Sequence, residues 1–313
     1  MELRQLRYLL AVAEEGSITR AAQRVYVTQP ALSQQLQLLE RELGTALLDR
    51  SGRRVRLTPA GEILVRSARE VIRQLEEART AIRELMGLER GELTLGVVQT
   101  VNMYLMPLAL SRFWECYPKV RLHVEELAAD DIEARLLEGT LDIGISFLPP
   151  RLEGLESHPL FSEELVLLLR RQHPLASRRS IRVAELQEVP LVLLPRRFCT
   201  RRLWDRCAAE AGVHPRVVGE LNTIDGLLGL VHRLDVATIL PRLALHSPLA
   251  EGLAAVSLRD PTPLRTVGGL FRKGGYTCTA SRAFWNVLQE VLQHWLSDDV
   301  SLAPSPVPDS PRP

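Results

Sequence analysis

The spacing of apolar residues changes once along this chain, and that change limits what it can fold into. From residue 2 to about residue 89, hydrophobic side chains recur three and four apart, the helical period. Near Glu89-Arg90-Gly91 short apolar runs of β type take over. They are ELTLGVV (92–98), VRLHVEEL (120–127), LDIGISF (141–147), ELVLLLR (164–170), PLVLLP (190–195), RVVGEL (216–221), VATIL (236–240), LAAVSL (253–258) and TVGGLFR (266–272). Helical stretches at 102–116, 130–138, 200–211, 223–233 and 277–296 lie between many of them. This alternation predicts an α/β sandwich with largely parallel sheets, and about 200 residues are enough for two lobes. The Pro- and Ser-rich end, residues 298–313, is predicted to be disordered. No internal repeat is present.

Within the helical part, Leu3, Leu6, Leu9, Leu10 and Ala13 form one apolar face that ends at Glu14-Glu15-Gly16. Residues 17–43, SITRAAQRVYVTQPALSQQLQLLEREL, read as two short helices joined by a tight turn. Ser17 and Thr28 are N-cap candidates, Pro30 fits a first helical turn, and Gly44 stops the second helix. At about 100° per residue, Leu32, Leu36, Leu39 and Leu43 fall within roughly 60° of one another. Pro30, Ser33, Gln34, Gln37 and Arg41 take the opposite side, which is rich in amides and nearly free of acid. Such groups hydrogen-bond base edges and phosphates. Gln29 or Gln34 suits adenine, Pro30 a thymine methyl, and Ser33 either a base or a phosphate. The candidate DNA-contacting set is Ser17, Thr28, Gln29, Pro30, Ser33, Gln34 and Gln37, joined by Arg50, Arg53 and Arg54. These arginines, with Arg56, surround a Ser51-Gly52 turn in LLDRSGRRVRLTP, which reads as a β-wing.

A long helix follows from Pro59 to about Leu88. Along it Leu64, Ala68, Val71, Leu75, Ala78, Ile82 and Leu85 alternate at spacings of four and three, a 3.5-residue seam that predicts pairing with a second chain. Two-fold operators require dimers, so the seam bears on DNA binding.

In the α/β part, candidate ligand groups lie where strands run into helices, since helix N-termini offer free N–H groups there. Gln99, Thr100 and Asn102 follow the first strand; Ser146 and Phe147 follow LDIGI; Phe198, Cys199 and Thr200 follow LVLLP; Asn222 and Thr223 come next. Facing one cleft, such turns suit a small anion or a carboxylate.

Composition excludes more than it selects. The net charge of +1 hides a +3 excess in residues 1–58, which permits nucleic-acid binding. The first residues are too charged for a signal peptide or membrane span, and four cysteines in 313 residues form no disulfide framework, so a cytoplasmic location is expected. Cys199 and Cys207 are eight residues apart, about 12 Å of rise on one helix, too far to bridge without local unfolding. Cys207 shares the apolar side of its helix with Leu203, Trp204 and Ala211. The histidines show no metal-like spacing, and no nucleophile elbow, Walker loop or dinucleotide fingerprint occurs. No catalytic residue, metal or cofactor is expected, and no enzyme.

In these segments the chain resembles the LysR-type transcriptional regulators across residues 1–297. LRQLRYLLAVAEEGS, RAAQRVYVTQPALSQQLQLLERELGTALLDR and RLTPAGE follow in that family's order and spacing. GTLDIGISF and LVLLPRRFCTR are similar to segments of its cyanate-operon and chlorocatechol-type branches. The resemblance implies an N-terminal all-α winged helix-turn-helix domain (1–58) and a long dimerising linker helix (59–89). It implies a two-lobed α/β effector domain (90–297) like the type 2 periplasmic binding proteins. Lobe I would take about 90–161 and 266–297, and lobe II about 162–265. It further implies double-stranded promoter DNA and a small-molecule effector as partners, a homodimer or homotetramer, RNA polymerase as a further partner, and activation or repression. Many members carry Arg where Gln34 stands, so guanine preference there does not carry over. Two alternatives stay open: a thiol-based redox sensor of the same family, and a solute-binding module with an oligomerising N-terminus.

Overall fold

The computed structural model describes residues 1–51, 55–84 and 91–298, and the chain divides into two compact units, Met1–Met86 and Gly87–Pro313. In the first, α1 (Leu3–Glu15), α2 (Ile18–Arg24) and α3 (Gln29–Leu43) precede a two-strand wing, β1 (Leu48–Asp49) antiparallel to β2 (Arg56–Leu57). The helix α4 (Pro59–Glu84) follows. Leu32, Leu36 and Leu39 of α3 are fully buried with Leu9 of α1, while Leu43, at the helix end, is exposed and falls outside the stripe. Gly16 and Gly44 close α1 and α3 in the left-handed conformation, where only glycine sits without a Cβ penalty.

Ser17 caps α2 as expected, accepting the Arg20 N–H at 3.4 Å. Thr28 occupies the N-cap of α3, but its hydroxyl makes no capping bond. An N-cap side chain bonds the N–H of the second or third helical residue, and Pro30, the second, has none.

The seam along α4 divides into two parts. Val65 joins the three-helix core, with Leu64 packed against it, and Ala68 is buried. Leu64 and Ala68 therefore serve this unit's own packing. Beyond them Val71, Ala78 and Ile82 are exposed and Leu75 is half-buried, while Leu85 lies outside the described residues.

The second unit carries β3 (Glu92–Val97), α5 (Gln99–Tyr104), α6 (Met106–Cys116), β4 (Arg121–Glu126), α7 (Ala129–Glu138), β5 (Ile143–Leu148) and β6 (Leu155–Arg170). Then come β7 (Ser180–Arg182), β8 (Leu191–Leu193), α8 (Cys199–Glu210), β9 (Val217–Glu220), α9 (Ile224–Arg233), β10 (Thr238–Pro241), β11 (Leu253–Arg259), β12 (Leu264–Arg272) and α10 (Thr279–Asp298). One sheet runs β4-β3-β5-β12-β6-β11-β7, with β10 also on β6, and β8 pairs β9 separately.

The strand β6 belongs to both lobes. Its first part pairs with β12 and its second with β10 and β11. In the second part Leu165, Leu167 and Leu169 pack toward Trp204, while Val166 and Leu168 pack toward Leu227 and Val231. Both faces are covered, so the run reads as unbroken apolar sequence.

Three expectations change here. The sheets are mixed: β3 is parallel to β4 and β5, β8 to β9, and β7 to β11, but β12 and β6 run antiparallel to their neighbours. The helical stretch 102–116 is two helices, because Pro107 fits only a first turn and α6 starts at Met106. The strand expected at 164–170 starts nine residues earlier, at Leu155.

Gly61, in the TPAGE motif, shows what the wing junction requires. A Cβ there would lie 2.1 Å from the Leu47 carbonyl oxygen, so α4 meets the wing backbone to backbone. Gly61→Ala should lower the stability of the N-terminal unit by about 1–3 kcal/mol, read as an earlier urea midpoint at constant slope.

Candidate DNA interface and effector cleft

The outer face of α3 is chemically free. Thr28, Gln29, Pro30, Gln34 and Gln37 are exposed and Ser33 is half-buried. Gln29, Gln34 and Gln37 have no side-chain hydrogen bond among the described residues, so their amides are available to a partner. Arg50 is tied to the Glu40 carboxylate at 3.1 Å. The other Glu40 oxygen accepts the backbone N–H groups of Leu47 and Leu48 at 2.9 and 3.1 Å. Glu40 thus fixes the base of the wing to α3, a role with no signal in the sequence beyond an acid near the helix end. Arg56 is exposed on β2, and Arg53 and Arg54 lie outside the described residues.

In the second unit the expected cleft residues separate into groups. Gln99, Thr100, Phe147, Phe198, Cys199 and Thr200 surround one small cavity of about 10 Å³, about the space of a single water. Its wall is bridged where Gln99 Nε2 donates to the Asn222 carbonyl at 2.7 Å. Thr223 lines a different depression of about 500 Å³, with Asn222, Glu220 and Arg197. Asn102 is held by Glu126 at 3.0 Å. Ser146 is fully buried, its hydroxyl unpaired, and lines neither space.

Thr100 and Thr200, two of the residues around the small cavity, are joined by Arg265, at the start of β12. Its guanidinium is buried and donates to Thr200 Oγ1 at 2.7 Å and to Thr100 Oγ1 at 2.9 Å. Thr100 opens a helix of lobe I and Thr200 one of lobe II. Glu163 of β6, directly across the strand pair, neutralises it: Nε and Nη2 of Arg265 reach Glu163 Oε1 at 2.8 and 2.6 Å. Tyr104 Oη donates to the same carboxylate at 3.1 Å, and the guanidinium lies 4.2 Å from the Phe147 ring centre. Burial pushes the Glu163 carboxyl above its ordinary value, and the charge of Arg265 pulls the other way. The Tyr104 phenol is raised, mainly by its burial. Neither Glu163 nor Arg265 stood out in the sequence, where Glu163 is one of two adjacent acids before an apolar run and Arg265 a lone charge before another.

Cys199 is the first residue of α8, and Arg202 Nη2 donates to its sulfur at 2.7 Å. Burial nevertheless pushes the thiol up, against the pull of Arg202 and with a small push from Asp130. Cys207, two turns along the same helix, is buried and its thiol is also raised by burial. Among the described residues, no group of three or more His, Cys, Asp or Glu is placed to hold a metal, and no helix is long and apolar enough to cross a membrane.

Residues 3–62 match the profile described as "Bacterial regulatory helix-turn-helix protein, lysR family", and residues 86–293 that of the "LysR substrate binding domain". The chain belongs to the LysR family. Over 275 residues it is 32% identical to the DNA-binding transcriptional dual regulator OxyR of Escherichia coli, covering 88% of this chain and 90% of OxyR. It is 36% identical over 235 residues to a probable RuBisCO transcriptional regulator of Cyanophora paradoxa, covering 73% of this chain and 72% of that one. Its fold is similar to that of full-length CbnR complexed with its target DNA, with TM-score 0.65 and 27% identity over 93% of this chain and 100% of CbnR. This LysR-family protein is a DNA-binding transcriptional regulator with a two-lobed effector-binding domain.

In this regulator the buried ion pair also sets stability. Glu163→Gln leaves the Arg265 charge without its counter-ion and should cost about 3–5 kcal/mol in urea unfolding; the double variant Glu163→Gln/Arg265→Met should recover much of that loss.

Proposed function

We propose that the pocket between the lobes takes a small anion or carboxylate as effector, and that its occupancy alters promoter binding. The observation carrying this is the buried Arg265 guanidinium, hydrogen-bonded to one hydroxyl from each lobe. An entering anion competes for those N–H donors, and the two bonds that tie Thr100 and Thr200 to one cation are what it exchanges. A ligand that prefers one lobe arrangement shifts the balance between them. Titration calorimetry of the full-length protein with acetate, benzoate and cyanate should give binding that Thr200→Val weakens. No heat from any of them at millimolar concentration overturns the anion reading.

On the DNA side, the proposed contacts are Thr28, Gln29, Pro30, Ser33, Gln34 and Gln37 of the recognition helix and its cap, with Ser17 and the wing arginines Arg50, Arg53 and Arg54. Gln34→Ala should lose about 1–3 kcal/mol of discrimination at one base position in gel shifts on the gene's own upstream region. Equal loss on every sequence would make Gln34 a phosphate contact instead. The exposed part of the α4 seam, Val71 to Ile82, supports a homodimer, and pairs of dimers give a tetramer. A charge at Val71 or Ile82 should shift sedimentation toward smaller species; an unchanged profile removes the seam as an interface. The reading is that of a non-enzymatic, cytoplasmic regulator, with RNA polymerase as a further partner at the promoter.

The Arg202–Cys199 contact at the start of α8, together with the similarity to OxyR, favours a second reading, thiol-based redox sensing. The raised thiols and the helical rise between Cys199 and Cys207 oppose it, because the thiolate is the reactive form and a disulfide needs α8 to unwind. DNA binding unchanged by peroxide, with a constant free-thiol count, excludes this reading.

A further inference from the structure

Beside the small pocket a larger cavity of about 680 Å³ opens between the lobes, within the range of roughly 300–1,000 Å³ usual for small-molecule sites. It shares Ala129, Phe147 and Cys199 with the small pocket, but its charged wall is largely its own. Lobe I brings Arg151 to it, lobe II brings Arg196, Arg202 and Arg206, and Arg265, already committed to Glu163, Thr100 and Thr200, borders it.

The carboxylates on this wall are already engaged. Glu133 accepts the backbone N–H groups of Arg151 and Leu152 at 2.8 Å each. Asp205 takes Arg201 at 2.7 Å and Arg196 at 3.4 Å. Arg206 meets no carboxylate among the described residues, and it stands one helical turn from Arg202 on the same face, where like charges repel. The cavity therefore presents cations in excess of the acids free to meet them.

Asp130 marks where an anion sits. Its carboxylate lies between two guanidiniums: Arg202, from lobe II, at 3.0 and 3.3 Å, and Arg151, from lobe I, at 3.5 Å from both oxygens. A phosphate carries more charge and one more acceptor oxygen than this carboxylate, and arginine forks match it in two-point contact. Arg151 is 66% exposed and Arg196 80%, so neither is locked to its present partner.

We propose that this cavity binds an organic molecule bearing two phosphate groups. One phosphate takes the place of Asp130 between Arg151 and Arg202, and the other is held by Arg196 and Arg206. The phosphate contacts differ from those of the anion reading above, because they use neither Thr100 nor Thr200, although Arg265 borders this cavity as well. Its occupancy replaces an interlobe ion pair made within the chain, Asp130 to Arg202, by a bridge made through the ligand. It thereby gives the regulator a second input at the lobe junction.

The test is titration calorimetry of the full-length protein at about 150 mM salt, where exposed charges are screened over roughly 8 Å. Fructose 1,6-bisphosphate and inorganic triphosphate are the probes, with inorganic phosphate, citrate and fructose as comparisons. The bisphosphate should bind, fructose should not, and inorganic phosphate and citrate should bind more weakly. Arg196→Ser/Arg206→Ser should weaken the bisphosphate about tenfold or more, since both lost contacts are charge-assisted, with an unchanged melting temperature. Thr200→Val should leave that binding in place. Absence of heat from either phosphorylated probe at millimolar concentration overturns the proposal, as does equal binding by the double variant. Citrate binding as tightly as the bisphosphate overturns the phosphate assignment. Bisphosphate binding lost only in Thr200→Val places the ligand in the small pocket; the outer site then fails while the interlobe reading stands.

Discussion

A cation buried as deeply as Arg265 is tolerable only with its counter-charge beside it, and this pair links both lobes. Moving an isolated charge into the interior costs several kcal/mol, so the Glu163 carboxylate opposite it is a requirement of the fold. The two residues sit on β6 and β12, and β6 runs through the sheets of both lobes. The remaining guanidinium N–H groups reach a helix start in each lobe. The polar centre of the cleft is thus set by the connecting strands, and the helix N-termini that line it are arranged around that cation.

The N-terminal unit meets a different constraint, which is to present a polar helix face while anchoring the other face firmly. Three fully buried leucines fix the rotation of α3, so the amides of Gln29, Gln34 and Gln37 emerge together. Glu40 joins α3 to the wing through two backbone N–H groups and Arg50. Pro30 shapes the same helix start by removing one of the two backbone donors that a Thr28 cap could use, and the Thr28 hydroxyl makes no capping bond.

The sequence was legible where local chemistry and burial agree. The helix period, the Ser17 cap and the glycines at 16 and 44 each act within a few residues, and the structure keeps them. The β6 segment at 155–163 was not legible, because four consecutive side chains, 156–159, are exposed and its pairing is decided by β12, about a hundred residues away. Arg265 was hidden for the same reason: a lone arginine ahead of a strand has no sequence mark of burial. The hydroxyls of Thr100 and Thr200 were correctly placed at strand-to-helix turns, but the cation that engages them came from elsewhere in the chain. Ser146 and Asn102 failed to join them because alternation along β5 and the pull of Glu126 direct them away.

Once Arg265 occupies both hydroxyls, the selectivity of the inner pocket changes character. A pocket lined by free hydroxyls would accept neutral and anionic ligands alike, whereas one whose hydroxyls are already acceptors to a cation has little to offer a neutral molecule. The small cavity holds only about one water and Arg265 is not on its wall, so from this side a larger anion reaches the guanidinium only if the lobes part. Parting them breaks the bond from Gln99 to the Asn222 carbonyl and loosens at least one of the threonine contacts. The ligand's affinity for the parted arrangement has to exceed that loss before it moves the equilibrium. On the proposed anion reading, the closed pocket is therefore the reference state, and an effective ligand is one whose charge exploits Arg265 well enough to hold the lobes apart.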